Sequence, residues 1–145
     1  MEEARERTAT CLCGRFRITV RGEPQRVMAC NCTLCKRRTG SAFGLGAYFL
    51  RTDLVSEEGE HNTYRKQAAS GRESDFRFCT VCGTSLWWDS TLAPETFGIA
   101  VGCFDDPHFP QPAAAVWGEE KLDWIQFPRD IPVLEQQDLT KLEKV

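Results

Sequence analysis

Cysteine placement constrains this chain more than any other feature. Seven of its eight cysteines fall into three tight clusters: Cys11 and Cys13, then Cys30, Cys32 and Cys35, then Cys79 and Cys82. Zinc held by thiolates takes four tetrahedral ligands at a structural site, and three plus an open position at a catalytic one. Two clusters of two make one closed site. The three sulfurs left over make one open site.

This reading requires reduced thiols. The first ten residues, MEEARERTAT, are charged and lack the apolar core of a secretory signal. No apolar run approaches the roughly 20 residues that cross a bilayer. We therefore expect a cytoplasmic protein, where close-set cysteines bind metal or react rather than pair as disulfides. Cys-x-Cys is also a poor spacing for a local disulfide. With 41% hydrophobic and 27% charged residues, the composition suits one soluble globular domain. The formal charge of −3 becomes about −6 once seven thiolates and two divalent ions are counted. That balance argues against nucleic acid or anionic membrane as a general partner.

Along the chain, strand signals dominate. Residues 1–10 read as a flexible, solvated end, 11–133 as the zinc-binding domain and 134–145 as a charged tail, either a terminal helix or disordered. Phe16, Ile18 and Val20 alternate with Arg15, Arg17, Thr19 and Arg21, the pattern of a half-buried strand. Gly22-Glu23-Pro24 turns the chain, and Val27–Ala29 forms a short strand into the triple cluster. Residues 33–38 suit one or two helical turns ending near Gly40. A strand is expected over Phe43–Leu50, where Gly44 and Gly46 suggest a bulge or a close backbone approach. Residues 56–62 form a polar turn. Further strands are expected at Tyr64, Phe76–Phe78, Thr84–Trp88, Phe97–Phe104 and within Val116–Phe127. The expected fold is mainly β, built of small antiparallel sheets stapled by zinc.

The closed site has a glycine after each pair, Gly14 and Gly83, where a positive φ lets the chain wrap a metal. Backbone N–H groups would then point at the sulfurs. Cys11–Ile18 and Cys79–Trp87 echo one another, each a cysteine pair, a glycine and an extended stretch. The triple cluster Cys30, Cys32 and Cys35 is too compact to enclose a metal alone. Its fourth ligand is water, a substrate or a distant residue, with Cys103 the first candidate and His61 and His108 weaker ones. The plainer reading of Cys103 is a small buried residue at a strand end. Lys36, Arg37 and Arg38 follow the cluster, placed to offset its negative charge or to hold carboxylates. Their plainer reading is a solvated turn.

The segments Cys-x-Cys-Gly at 11–14, Cys-Asn-Cys-Thr-Leu-Cys-Lys-Arg-Arg-Thr-Gly-Ser-Ala-Phe at 30–43, Phe-Cys-Thr-Val-Cys-Gly-Thr-Ser-Leu-Trp at 78–87 and Asp-Asp-Pro at 105–107 together resemble the glutathione-dependent formaldehyde-activating enzyme family, which includes centromere protein V-like proteins. The resemblance runs from about Cys11 to Pro132. It implies an Mss4-like fold, a structural zinc on Cys11, Cys13, Cys79 and Cys82, and a second, more labile and catalytic zinc on Cys30, Cys32 and Cys35. It also implies a carbon–sulfur lyase or synthase activity in which a thiol, glutathione, adds to formaldehyde or another small aldehyde. Lys36, Arg37, Arg38 and Gly40 would then bind substrate, and Ser41 would assist catalysis. Two positions depart from the family pattern: Asn31 stands where a histidine is usual, and Ala115 about where another often lies. Neither departure removes a sulfur ligand.

Three other classes compete. A non-catalytic module would use both metals structurally and present Trp87, Trp88, Trp117 and Trp124 to a protein or thiol partner, although tryptophans more commonly fill cores. A redox enzyme would rely on Cys103. A nucleic-acid binder would need more than the three-residue basic tract Lys36–Arg38. The sequence is silent on oligomeric state.

Overall fold

Ten β-strands and one short α-helix carry most of the regular structure in residues 4–67 and 71–137, which this computed structural model describes. In chain order the strands are β1 Glu6–Thr10, β2 Arg17–Arg21, β3 Arg26–Cys30, β4 Gly44–Leu50, β5 Leu54–Glu58, β6 His61–Gln67, β7 Glu73–Cys79, β8 Ser85–Ser90, β9 Thr96–Ala100 and β10 Ala114–Val116, and the helix α1 is Thr33–Thr39. Strand accounts for 43% and helix for 13%, so the chain is mainly β, as expected. It divides into two compact units. One holds the residues up to Gln25 together with Ala47–Pro107, and the other Arg26–Gly46 together with the residues from His108 on.

In the first unit, β2 lies between β1 and β5 in a three-stranded antiparallel sheet. The alternation read from the sequence sets its faces. Phe16, Ile18 and Val20 are at most 1% exposed. Each such burial contributes about 1.5–3 kcal/mol. The opposite face carries the Thr8–Thr19 hydroxyl pair at 2.8 Å and the Arg17–Glu58 and Arg21–Glu6 ion pairs. One expectation fails here. Residues 6–10 are not a frayed end but β1, with Ala9 fully buried and Arg7 nearly so. Arg7 is tolerated because its guanidinium donates to Glu23 and to the Gly22 carbonyl. The expected polar turn over 56–62 is also shorter, because pairing with β2 holds Ser56–Glu58 in β5. Gly59 makes the reversal at φ +98°, where a Cβ would stand 2.0 Å from the Arg15 carbonyl oxygen.

Strands β6, β7, β8 and β9 of this unit pair antiparallel in succession. Leu86, Phe97 and Ile99 form part of its core with Phe49, whose ring lies 6.4 Å from Phe97 and 6.1 Å from Phe104. Phe97–Phe104 is not strand throughout. After β9, Val101–Phe104 winds into a 3₁₀ turn that ends at Asp105 in the left-handed region, and Phe104 stays buried.

The second unit pairs β10 with β3 in parallel, Ala115 opposite Ala29. Met28, Ala29, Ala114, Ala115 and Val116 are all buried, a continuous apolar run rather than an alternation, as buried parallel strands show. Of the stretch Val116–Phe127 expected to supply strand, Val116 alone pairs. Trp117 adopts φ +56° and turns the chain into the 3₁₀ turn Gly118–Glu120. The expected tail structure beyond residue 137 lies outside the described residues. Helix α1 buries none of its seven residues. Lacking an apolar face, so short a helix depends on its end contacts.

Candidate metal centres

Cys11, Cys13, Cys79 and Cys82 converge in the first unit, their sulfurs all within 4.8 Å of one another. Two matching turns bring them there. Gly14 N–H donates to the Cys11 carbonyl and Gly83 N–H to the Cys79 carbonyl, both at 3.0 Å, with φ near +87° and +78°. Beyond each turn the chain folds back alike, Cys11 N–H on the Phe16 carbonyl and Cys79 N–H on that of Thr84. The echo between 11–18 and 79–87 is therefore a repeated fold.

The donor set fits a tetrahedral ion. Zinc–sulfur bonds of about 2.3 Å imply sulfurs about 3.8 Å apart. Cys11–Cys13 and Cys13–Cys79 stand at 3.6 and 3.7 Å. Backbone amides aim at the sulfurs as expected: Phe16 N–H at Cys11 Sγ, 3.2 Å, and Val81 N–H at Cys79 Sγ, 3.4 Å. Thr84, which the sequence reading missed, joins the two turns. Its hydroxyl accepts from Leu12 N–H at 3.0 Å and lies 3.2 Å from Cys82 Sγ. That hydroxyl is the first cause lowering the Cys82 pKa to about 5. Cys13 is pushed up to about 11, because lost hydration and three neighbouring sulfurs outweigh the Arg15 amide.

Cys30, Cys32 and Cys35 form the second group, likewise within 4.8 Å. Cys30 ends β3 opposite Val116. Cys32 caps α1, its sulfur accepting from Cys35 N–H at 3.3 Å. Between them Asn31 is fully buried. Its backbone N–H and its side-chain amide both donate to the Val116 carbonyl at 3.0 Å, which fixes the strand end where the cluster begins. Hydrogen bonds from the Cys30 and then the Cys35 thiols drive the Cys32 pKa down to about 2. The Cys30 pKa is driven far up, first by Cys32. One thiolate forms readily and the rest resist, so a cation is what allows the group to carry three negative sulfurs.

The other expected residues are placed as follows. Lys36 Nζ donates to the Glu120 carbonyl at 2.5 Å, and Thr33 Oγ1 to the Glu120 carboxylate at 3.0 Å, so the turn after Trp117 is tied to α1. Arg37 is exposed and Arg38 half-buried. The Gly40 amide is used in the helix cap on the Lys36 carbonyl, and the Ser41 amide bonds Thr39 Oγ1. Ser41 itself is exposed. Among the described residues the second group has three members, which do not include Cys103, His61 or His108. Cys103 is half-buried on the 3₁₀ turn Val101–Phe104. His61 stacks on Phe16 at 4.8 Å, places Nδ1 3.2 Å from a Glu57 carboxylate oxygen and lies opposite Cys79. Trp87 and Trp88 are core residues at 8% exposure, whereas Trp124 is 73% exposed.

Residues 6–120 match the family described as glutathione-dependent formaldehyde-activating enzyme. A crystal structure of a protein from Rhodobacter sphaeroides is similar at 24% identity and a TM-score of 0.51, over 87% of this chain and 98% of that one. The second likeness bears on the fold, which agrees with the Mss4-like architecture expected from the motifs.

Proposed function

Because the chain belongs to the glutathione-dependent formaldehyde-activating enzyme family, we propose that it is a zinc-dependent carbon–sulfur lyase or synthase that adds glutathione to formaldehyde or another small aldehyde. The observation that carries this reading is the three-member group of Cys30, Cys32 and Cys35 beside Arg38. In the same reading the other four sulfurs hold a structural ion. Zinc at the three-cysteine group would supply an open position at which a visiting thiol is held as its thiolate.

The chain's own residues do the rest. Cys30 at the end of β3, Cys32 at the cap of α1 and Cys35 within it would hold the ion. Arg37 and Arg38 attract the carboxylates of glutathione. Lys36, tied to Glu120, fixes the following turn beside the helix, and Ser41 offers a hydroxyl at the helix end. In the forward direction the sulfur forms a bond to the aldehyde carbon, the carbonyl π pair moves to oxygen, and that oxygen takes a proton. The reverse breaks the carbon–sulfur bond. Holding both reactants together can supply several kcal/mol of acceleration. No helix among the described residues is long and apolar enough to cross a membrane.

The test is the rate at which glutathione and formaldehyde interconvert with their adduct at equilibrium, followed by exchange NMR with both metals bound. Exchange faster than the uncatalysed reaction, lost in Cys32→Ser, supports the proposal. A rate equal to background with the second centre occupied overturns it. Thiol binding at that background rate would favour a non-catalytic binding module, for which the exposed Trp124 offers a contact surface.

A further inference from the structure

Gly44 opens β4, and its backbone lies outside the left-handed region, so conformation does not require glycine there. Space does. A Cβ at this position would stand 3.0 Å from Arg38 Nη2, 3.1 Å from Cys35 Cβ and 3.4 Å from Cys35 Sγ. The Arg38 guanidinium and the Cys35 sulfur thus converge on the one spot that the missing side chain leaves clear. The three cations after the cluster have separate placements. Lys36 is half-buried and held by the Glu120 carbonyl, Arg37 is exposed, and Arg38, half-buried as well, is the one whose guanidinium shares the space over Gly44 with Cys35.

We propose that Arg38, admitted by Gly44, makes the three-cysteine centre select an anionic thiolate over a neutral donor as its fourth ligand. The inference rests on the proposed function, in which an external thiol is that ligand, and it names the residues that set the preference. A divalent ion with three thiolates already carries one net negative charge, and an entering thiolate brings a second. Imidazole or water brings none. In a partly buried site the second charge is strongly resisted unless a fixed cation stands close by. Guanidinium suits that task, because it keeps its proton and its planar fork holds position.

The experiment uses the cobalt-substituted full chain, read by the sulfur-to-cobalt charge-transfer bands. It is titrated with 2-mercaptoethanol, which has no carboxylate for any arginine to hold, and separately with imidazole. Difference spectra isolate the centre that accepts a ligand. The unmodified chain should bind both. Arg38→Gln, and independently Gly44→Ala, should weaken thiol binding about tenfold or more, or about 1.4 kcal/mol, and leave imidazole affinity unchanged. Unaltered thiol affinity in Arg38→Gln, or equal weakening of both ligands, overturns the inference and leaves the proposed function standing. If the unmodified chain shows no thiol-dependent band, the open position fails, and the proposed function falls with the inference.

Discussion

At the scale of single residues, two polar groups do work that their types alone do not announce, one half-buried and one fully buried. Thr84 joins the turns of the four-cysteine centre through Leu12 N–H and the Cys82 sulfur. Hydrogen bonds that orient metal ligands commonly carry a tenfold or larger share of affinity. Thr84→Val keeps the shape and removes the hydroxyl. We expect metal affinity at this centre to fall about tenfold and stability to drop by about 1 kcal/mol, measured by chelator competition and urea unfolding. Asn31 is the second case. Its side-chain amide donates to Val116, while its buried Oδ1 has no partner among the described residues. Asn31→Ala should cost about 1–2 kcal/mol, through one lost hydrogen bond and the space left behind. The cost should appear in the unfolding midpoint without loss of either metal.

At the scale of elements, β7 and β8 raise an electrostatic problem and contain its solution. Their register sets Asp75 directly opposite Asp89, both less than one-fifth exposed. Like charges facing across strands are destabilising. Arg77 is placed between them, 2.5 Å from Asp89 and 3.9 Å from Asp75, with its guanidinium 4.0 Å from the Trp87 ring centroid. Arg77→Leu should therefore cost about 1–2 kcal/mol in thermal or urea unfolding, since Asp89 loses a hydrogen bond and the facing carboxylates are left to Arg51 and Arg65 alone. Arg65, first by hydrogen bond and then by charge, holds the Asp75 carboxyl below its ordinary range. A carboxylate with a depressed folded pKa stabilises above its unfolded pKa of about 3.9, and the contribution is lost as pH falls through the folded value. Asp75→Asn should flatten the stability–pH curve below about pH 4 and leave its shape near neutrality unchanged. Identical acid limbs in the two proteins would contradict this. Helix α1 is the other informative element. With no buried residue, it stands on the Cys32 cap, the Gly40 turn and the ties from Thr33 and Lys36 to Glu120.

At the scale of the whole molecule, the two sulfur groups differ in what they join. The four-cysteine group connects the end of β1 with the end of β7, distant in sequence, so its ion closes a long loop. The three-cysteine group spans six residues and closes almost nothing. A mild chelator should remove the second metal first and leave the far-UV circular dichroism unchanged. Only removal of the first should unfold the chain. Simultaneous loss of both metals with unfolding would contradict the division of roles.

Local chemistry made much of this legible in advance. Cysteine spacing, the glycines behind each pair and the alternation of Phe16, Ile18 and Val20 act within a few residues, so the sulfur groups, the two turns and β2 could be read from the chain. β1 escaped because Glu6–Thr10 is polar in composition and becomes a strand only by pairing with β2. The end of strand at Val116 escaped because it depends on one left-handed residue, Trp117, that its type disfavours. Thr84, Glu120 and the clear space over Gly44 matter through neighbours far along the chain or across a turn. Sequence determined which atoms could hold metal. Packing decided which hydroxyl, carbonyl and guanidinium would stand beside them, because those distances exist only once remote segments have met.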